Sequence, residues 1–200
     1  MIDPAVLNFF RRGEDVCYSR YSSPIGDMYI LGNDAAVKAL IFKDSCQGRK
    51  AIGSHFRQAE PDTIAKTRIF LDEFFCNPGR RNNRTPVRLT AKYSANNQVL
   101  QVAFKAIELT LDLSPFTFKE IGVYRELIKV PAGATISYGL LAHRSGIPCG
   151  ARFVGNAMAK NNFPIIIPCH RVIKSDGSMG NYSGGLHIKE YLLDHEKSCC

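Results

Sequence analysis

Near the end of the chain a hydrophobic run, Phe163-Pro164-Ile165-Ile166-Ile167-Pro168, runs straight into Cys169-His170-Arg171. Three consecutive isoleucines between prolines must be buried. The fold must therefore close around this segment and carry Cys169 at its end. A free thiol titrates near 8.5, so only a few per cent is thiolate at neutral pH, and a nearby imidazole raises that fraction. His170 is the adjacent candidate, but neighbouring side chains on an extended strand point to opposite faces. It can serve Cys169 only across a tight turn or through a bridging water. Pro168 supports such a turn, and Glu196 on the last helix is placed to orient the imidazole as a third member does in other nucleophile systems. The commoner fate of a free cysteine is to act as a small buried hydrophobe, and the residues alone leave both readings open. Metal binding has less support, because His143, His170, His187 and His195 lack ligand spacings with the cysteines.

The rest of the chain divides by its periodicity. Val16 to Tyr21, a turn at Ser23-Pro24-Ile25-Gly26, Met28 to Leu31 and Val37 to Phe42 predict a strand-rich start containing a hairpin. Asp62 to Phe75 carries Ile64, Leu71, Phe74 and Phe75 at helical spacing and stops at Asn77-Pro78-Gly79. Val99 to Phe104 and Ile107 to Leu113 then alternate as half-buried strands do. The expected fold class of residues 1–113 is a small α/β domain, a mostly antiparallel sheet with a helix.

At Ser114-Pro115 the composition turns from strand-rich to helix-rich, with Ser114 as an expected helix cap and Pro115 as the first helical residue. Residues 114–200 are expected to form a second, mainly α domain. One helix buries Ile121, Tyr124, Leu127 and Ile128 and ends before Pro131-Ala132-Gly133. A second runs from Ser137 to Ser145, and a third places Ala151, Val154, Ala157 and Met158 on one face. Two short helices about a glycine-containing turn suggest a helix-turn-helix, with the loop Ser175-Asp176-Gly177-Ser178 as a hairpin or wing. A last helix sets Leu186, Lys189, Leu193 and Glu196 at helical spacing.

No stretch of about 18 apolar residues and no signal-peptide pattern is present, so the chain is expected to be soluble and intracellular, without a membrane partner. Seven cysteines, irregularly spaced and without a Cys-x-x-Cys pair, argue against a disulfide framework and leave at least one thiol free. Cys199-Cys200 reads as a solvated tail. The formal charge of +8 suits a polyanionic partner as well as it suits simple solubility. Between Glu73 and Glu108 there is no acid, while Arg80, Arg81, Arg84, Arg88 and Lys92 crowd one stretch. That stretch reads equally as a solvated loop and as a phosphate-binding one.

Taken together, Pro168-Cys169-His170-Arg171-Val172, Gly180-Asn181-Tyr182-Ser183-Gly184-Gly185 and Leu192-Leu193-Asp194-His195-Glu196 closely resemble the O6-alkylguanine-DNA alkyltransferases. Ile136-Ser137-Tyr138 and the run Gly150 to Met158 match the helix-turn-helix of that family in order and spacing. The resemblance is strong from about Ser114 to Glu196 and weaker in Ser23-Pro24-Ile25-Gly26 and Leu71-Asp72-Glu73-Phe74-Phe75. It implies a winged helix-turn-helix-like second domain and a single-use DNA-repair protein. Such a protein flips O6-alkylguanine, and less readily O4-alkylthymine, out of double-stranded DNA and moves the alkyl group irreversibly onto Cys169. It acts as a monomer, requires no cofactor, and works where DNA is: the cytoplasm of a prokaryote or the nucleus of a eukaryote.

By match to the family motifs, Cys169 is the acceptor, His170 its base through a water, and Glu196 the group that fixes His170. Asn161 braces the turn, and Tyr138 donates to the base and helps rotate its phosphate. Arg152 fills the vacated stack, with small Gly150 and Ala151 beside it allowing close approach to a minor groove. Carbonyls of Cys169 and Val172 read the exocyclic amine, Ser183 sits at O6, and Tyr182 and Lys189 form pocket wall and support. Tyr124 replaces a frequent Trp, Asn162 a usual Pro, and Gly150 a common Ala. The last change is expected to cost the recognition helix about 1 kcal/mol. Asn33 stands where some members have a zinc-ligating Cys, so no structural metal is expected.

Two other functions compete. A non-enzymatic sensor of alkylation damage has no need of the acceptor Cys169, and a thiol hydrolase built on Cys169 and His170 leaves Tyr138 and Arg152 without purpose. If the basic stretch around Arg84 contacts phosphates, neutral replacements there will flatten the salt dependence of DNA binding; identical slopes in both proteins would remove it from the interface.

Overall fold

The computed structural model describes residues 14–44, 56–75, 90–94 and 98–198. They fall into two compact units: one takes the described residues up to Phe75 and those from Ala91 to Pro115, the other Thr90 and the residues from Phe116 onward. No helix among the described residues is long and apolar enough to cross a membrane.

The first unit is a seven-stranded mixed sheet with one helix. The strands are β1 (Cys17–Ser23), β2 (Gly26–Gly32), β3 (Val37–Phe42), β4 (Arg57–Gln58), β5 (Thr90–Ser94), β6 (Val99–Phe104) and β7 (Ile107–Asp112), in the order β4-β1-β2-β3-β7-β6-β5. β1 and β2 form the expected hairpin, with Ser23 opposite Gly26 and Gly26 at φ +101°. The left-handed backbone there is why glycine suits the position. Both β4 and β5 escaped the periodicity; the former has only two residues, both exposed. Helix α1 (Asp62–Phe75) buries Ile64, Phe70, Leu71, Phe74 and Phe75. It packs on β1, β2, β3 and β7. A separate cluster of Val16, Leu31, Ala39 and Ile41, flanked by Tyr18, Tyr29 and Phe56, gathers residues of alternate parity. Apolar packing on both faces explains why all six residues of β3 are buried, Lys38 included.

The ammonium of Lys38 is held by Glu14 and, at 2.6 Å, by Asp112 at the end of β7. A buried cation needs such partners, and two carboxylates supply them. Asn33 is a turn residue: its Oδ1 accepts from the amides of Ala35 and Ala36, each at 3.1 Å.

In the second unit the first helix starts later than the sequence suggested. Ser114 and Pro115 are not its cap and first residue. Instead Thr117 caps α2 (Phe118–Ile128), accepting from the Glu120 amide at 3.3 Å while Glu120 Oε2 accepts from the Thr117 amide at 2.8 Å. Thr117-x-x-Glu120 completes a reciprocal capping box, whereas Ser114 has Thr117, not an acid, three residues on. Tyr124 is fully buried, its ring edge-on to Phe116 and its hydroxyl donating to Ala157 O at 2.8 Å.

Ser137 caps α3 (Tyr138–Arg144), which turns at Gly146 into α4 (Ala151–Ala159). α4 buries Val154, Ala157 and Met158, and Ala151 is only partly covered. A parallel two-stranded pair, β8 (Ile136–Ser137) with β9 (Val172–Ile173), matches Ile136 to Val172 and Ser137 to Ile173. After β9 the chain makes a turn closed by Lys174 N donating to Ser178 O at 2.8 Å, and residues 179–182 form no strand. The last helix, α5 (Leu186–Ser198), buries Ile188, Lys189, Leu192, Leu193, His195 and Glu196. Leu186, its first residue, is 52 % exposed.

Removing the capping hydroxyl with Thr117→Ala is expected to destabilise the second unit by about 1 kcal/mol. A thermal or urea unfolding midpoint checks this, and an unchanged midpoint would mean that the cap does not anchor the helix.

Candidate active site

The segment from Asn161 to Val172 is a series of tight turns in which every residue is buried. Asn161 Oδ1 accepts from the amide of Phe163 at 2.9 Å, and the amide of Ile167 returns to Phe163 O at 2.8 Å. Between them Ile165 takes φ +74°. For a β-branched residue that is a strained backbone, costing on the order of 1–3 kcal/mol, and it persists because the side chain is locked in the core. Cys169 to Arg171 form one turn of 3-10 helix after Pro168. This is the constrained turn that Pro168 suggested.

The turn puts Cys169 against Asn161, and His170 and Arg171 against Glu196. Cys169 is 4 % exposed, and its sulfur receives Nδ2 of Asn161 at 3.1 Å; the same amide donates to Ile167 O at 2.8 Å. Burial pushes the thiol up from its ordinary range, against the opposing pull of Asn161, Lys189 and Tyr182. His170, wholly buried, meets Glu196 Oε1 through Nε2 at 2.8 Å, and its Nδ1 is buried with no hydrogen-bond partner in the protein. Burial holds the imidazole below its ordinary value, outweighing Glu196, which pulls the other way. The resting site is thus a neutral thiol and a neutral imidazole.

Glu196 is 2 % exposed, and burial alone would raise its carboxyl, but His170 and Arg171 overcome this and hold it down at about 2. Arg171 donates through Nε to Oε2 at 3.0 Å and Oε1 at 3.2 Å, and through Nη2 to Oε1 at 2.7 Å. Its Nη1 reaches Val130 O at 2.5 Å, and Gly133 N donates to Glu196 Oε2 at 3.1 Å. The sequence reading quoted Arg171 within its motif but gave it no role. A charged residue next to a candidate base, followed by apolar Val172, was the available signal.

Tyr138, first residue of α3, is set beside this turn by the β8–β9 pairing. Its ring lies over Gly180: a Cβ there would come within 3.1 Å of the hydroxyl, and the backbone is at φ +66°. Burial raises both Tyr138 and, much further, Tyr182, and a thiolate at Cys169 would push each the same way. Lys189 is buried and donates to Val172 O at 2.6 Å and to Met179 O; burial lowers it to about 8. The Val172 carbonyl therefore already accepts one bond, and the Cys169 carbonyl accepts the amide of Val172. Ser183 is exposed in the turn closed by Gly185 N on Tyr182 O at 3.0 Å.

Arg152 is exposed on the first turn of α4, with Ala151 and Gly150 partly covered. The expected weakening of that helix by Gly150 is corrected here, because Gly150 is its N-cap and lies outside the helix interior. A Cβ at Gly150 would stand 2.5 Å from Cγ2 of Ile147, so the bulk of Ile147 demands a glycine. Asn162, where Pro was usual, is buried with Nδ2 lacking a protein partner. Such an orphaned donor costs on the order of 1–3 kcal/mol. Arg80, Arg81, Arg84 and Arg88 lie outside the described residues, and Lys92 is exposed on β5. Cys17, Cys149 and Cys169 are free thiols, while Cys199 and Cys200 also lie outside the described residues.

Known proteins resemble this chain in sequence and in fold. Residues 119–198 match the family model of the 6-O-methylguanine DNA methyltransferase DNA-binding domain. A human methylated-DNA–protein-cysteine methyltransferase is 54 % identical over 74 residues, 37 % of this chain and 36 % of that one. Its namesake from Methanosarcina acetivorans is 32 % identical over 182 residues, 91 % of this chain and 99 % of that one. The chain belongs to the methylated-DNA–protein-cysteine methyltransferase family. The methyltransferase likeness extends to three dimensions: the crystal structure of Mycobacterium tuberculosis OGT in complex with DNA superposes with a TM-score of 0.67 at 27 % identity, covering 92 % of this chain and 94 % of that one.

The carboxyl of Glu196, depressed when folded, adds stability that is complete above the unfolded carboxylate value of about 4.3 and disappears as the pH falls through about 2. Glu196→Gln, which leaves Arg171 buried and without its counter-ion, is expected to cost about 3–5 kcal/mol at neutral pH. Thermal unfolding of both proteins from pH 7 to pH 2 should show that gap narrowing below about pH 4.3.

Proposed function

We propose that this protein repairs DNA by flipping O6-alkylguanine, and less readily O4-alkylthymine, out of the duplex and transferring the alkyl group once and irreversibly to Cys169. The observation that carries the reading is the buried thiol on a 3-10 turn whose next residue, His170, is hydrogen-bonded to Glu196 at 2.8 Å. A family relationship spanning 91 % of the chain supports it. A base within a stacked duplex cannot reach a thiol that is 4 % exposed, so the nucleotide must come to the protein.

The ionised Glu196 can only accept, which makes His170 Nε2 the donor and Nδ1 the lone-pair nitrogen. Nδ1 takes the Cys169 proton through a bridging water. The thiolate attacks the alkyl carbon, the S–C bond forms as the C–O6 bond breaks, and the electron pair passes into the guanine. Net, the thiol proton ends on the base, which leaves as ordinary guanine. Asn161, donating to the sulfur at 3.1 Å, steadies the developing thiolate. Tyr138 donates to the base and turns its phosphate; Tyr182 forms the pocket wall and Ser183 meets O6. Lys189 holds the Val172 carbonyl, which with that of Cys169 faces the exocyclic amine. A thioether does not hydrolyse, so each molecule acts once.

In this reading α3 and α4 form the helix-turn-helix, residues 175–178 supply a short wing, and residues 114–200 work as the DNA-binding and acceptor domain beside an α/β domain of residues 1–113. Arg152, exposed on α4 next to Gly150 and Ala151, enters the stack where the base has left. The protein needs no cofactor and works as a monomer on double-stranded DNA.

Intact mass after incubation with an O6-methylguanine oligonucleotide tests the reaction. One methyl per protein and no more is expected, and none in Cys169→Ser; selective binding of the lesion without mass gain would make the protein a damage sensor. Arg152→Ala is expected to slow repair of duplex DNA far more than reaction with the free alkylated base, and equal losses would remove Arg152 from base flipping.

A further inference from the structure

Arg171 is among the largest fully buried side chains of the protein and has no part in the transfer step as written above. Three of its hydrogen bonds go to Glu196, from two nitrogens, and the fourth to the Val130 carbonyl. The same carboxylate receives His170 Nε2 at 2.8 Å and Gly133 N at 3.1 Å. Resting on the reading of Cys169 as alkyl acceptor, we propose that Arg171 is a positioning residue of the reaction: its guanidinium fixes the Glu196 carboxylate and balances its charge, so that His170 stays a neutral imidazole able to take the Cys169 proton.

A buried carboxylate beside an imidazole, with no other cation, favours the imidazolium–carboxylate ion pair. That state is closed to catalysis, because a protonated Nδ1 cannot accept from the thiol. Arg171 removes the incentive by satisfying the carboxylate itself, and as a like charge it opposes protonation of His170 directly. The charged and titratable groups that bear on His170 are few. Glu196 favours its protonation and Arg171 and Lys189 oppose it, and burial works in the same direction as the two cations. The adjacent Cys169 and the phenols of Tyr138 and Tyr182 are neutral, all three pushed up by burial. From the loop between α2 and β8 the network receives the backbone groups Val130 O and Gly133 N.

The test is the pH dependence of the single-turnover methyl-transfer rate, followed by intact mass, in the wild-type protein, Arg171→Gln and Arg171→Lys. Loss of a nearby like charge raises a pKa by about 1–3 units. The acid limb of the profile is therefore expected about one unit or more higher in Arg171→Gln, so that on this limb the rate falls about tenfold or more. Arg171→Lys, which keeps a cation, should keep its limb near the wild-type position whatever its plateau. A purely structural role would lower the plateau without moving the limb.

Coincident limbs in Arg171→Gln and the wild type overturn the proposal. If Arg171→Gln does not fold, NMR titration of the His170 ring in the wild-type protein decides the matter. Titration at or above the ordinary value of about 6.5, although burial works in the same direction as Arg171, overturns it. Absence of methyl transfer by the wild type at any pH would instead overturn the acceptor reading itself.

Discussion

A single carboxylate in the second unit has donors converging on it from three directions. Glu196 on α5 receives His170 and Arg171 from the 3-10 turn and the amide of Gly133 from the loop after α2. Buried charge is expensive unless every lone pair is met, so this site has one good arrangement and many poor ones. The helix, the turn and the loop are fixed together by that requirement. The loop in turn leads within three residues to β8, whose pairing with β9 sets Tyr138 beside the acceptor turn. Cys169, His170 and Tyr138 thus share one electrostatic anchor.

Burial here works against reactivity at rest and for it in the reaction. The apolar run that delivers Cys169 also keeps its thiol protonated, and the same low-dielectric surroundings strengthen the pull of Asn161 and Lys189 on a thiolate once formed. Backbone strain belongs to the same design. Ile165 holds a left-handed conformation in the core, and the turns that follow it aim Cys169 away from the path an ordinary strand would take.

The elements that the sequence made legible are those with a strong period or an unambiguous stop. The β1–β2 hairpin and α1 were readable because alternation and helical spacing report burial directly. β4 was not, because two exposed residues carry no period. The start of α2 was misplaced by the familiar Ser-Pro signal, although Thr117 and Glu120 three residues apart offered a better one. At the site, a motif could name Cys169, His170 and Glu196, but their meeting depends on a turn and a helix 26 residues apart. Arg171 was passed over because a lone arginine in sequence reads as solvated; only the fold shows it buried against the acid. Gly150 was judged by helix propensity, when its neighbour Ile147 sets the rule.

The contrast between two free cysteines has a practical meaning. Cys149 sits exposed in the turn before α4, while Cys169 is 4 % exposed. A molecule that can react only once has to remain unspent until it meets its lesion, among oxidants and electrophiles that would consume an open thiol. Enclosure gives the acceptor a shelf life, and it means that general thiol reagents sample Cys149 before they register the residue that matters.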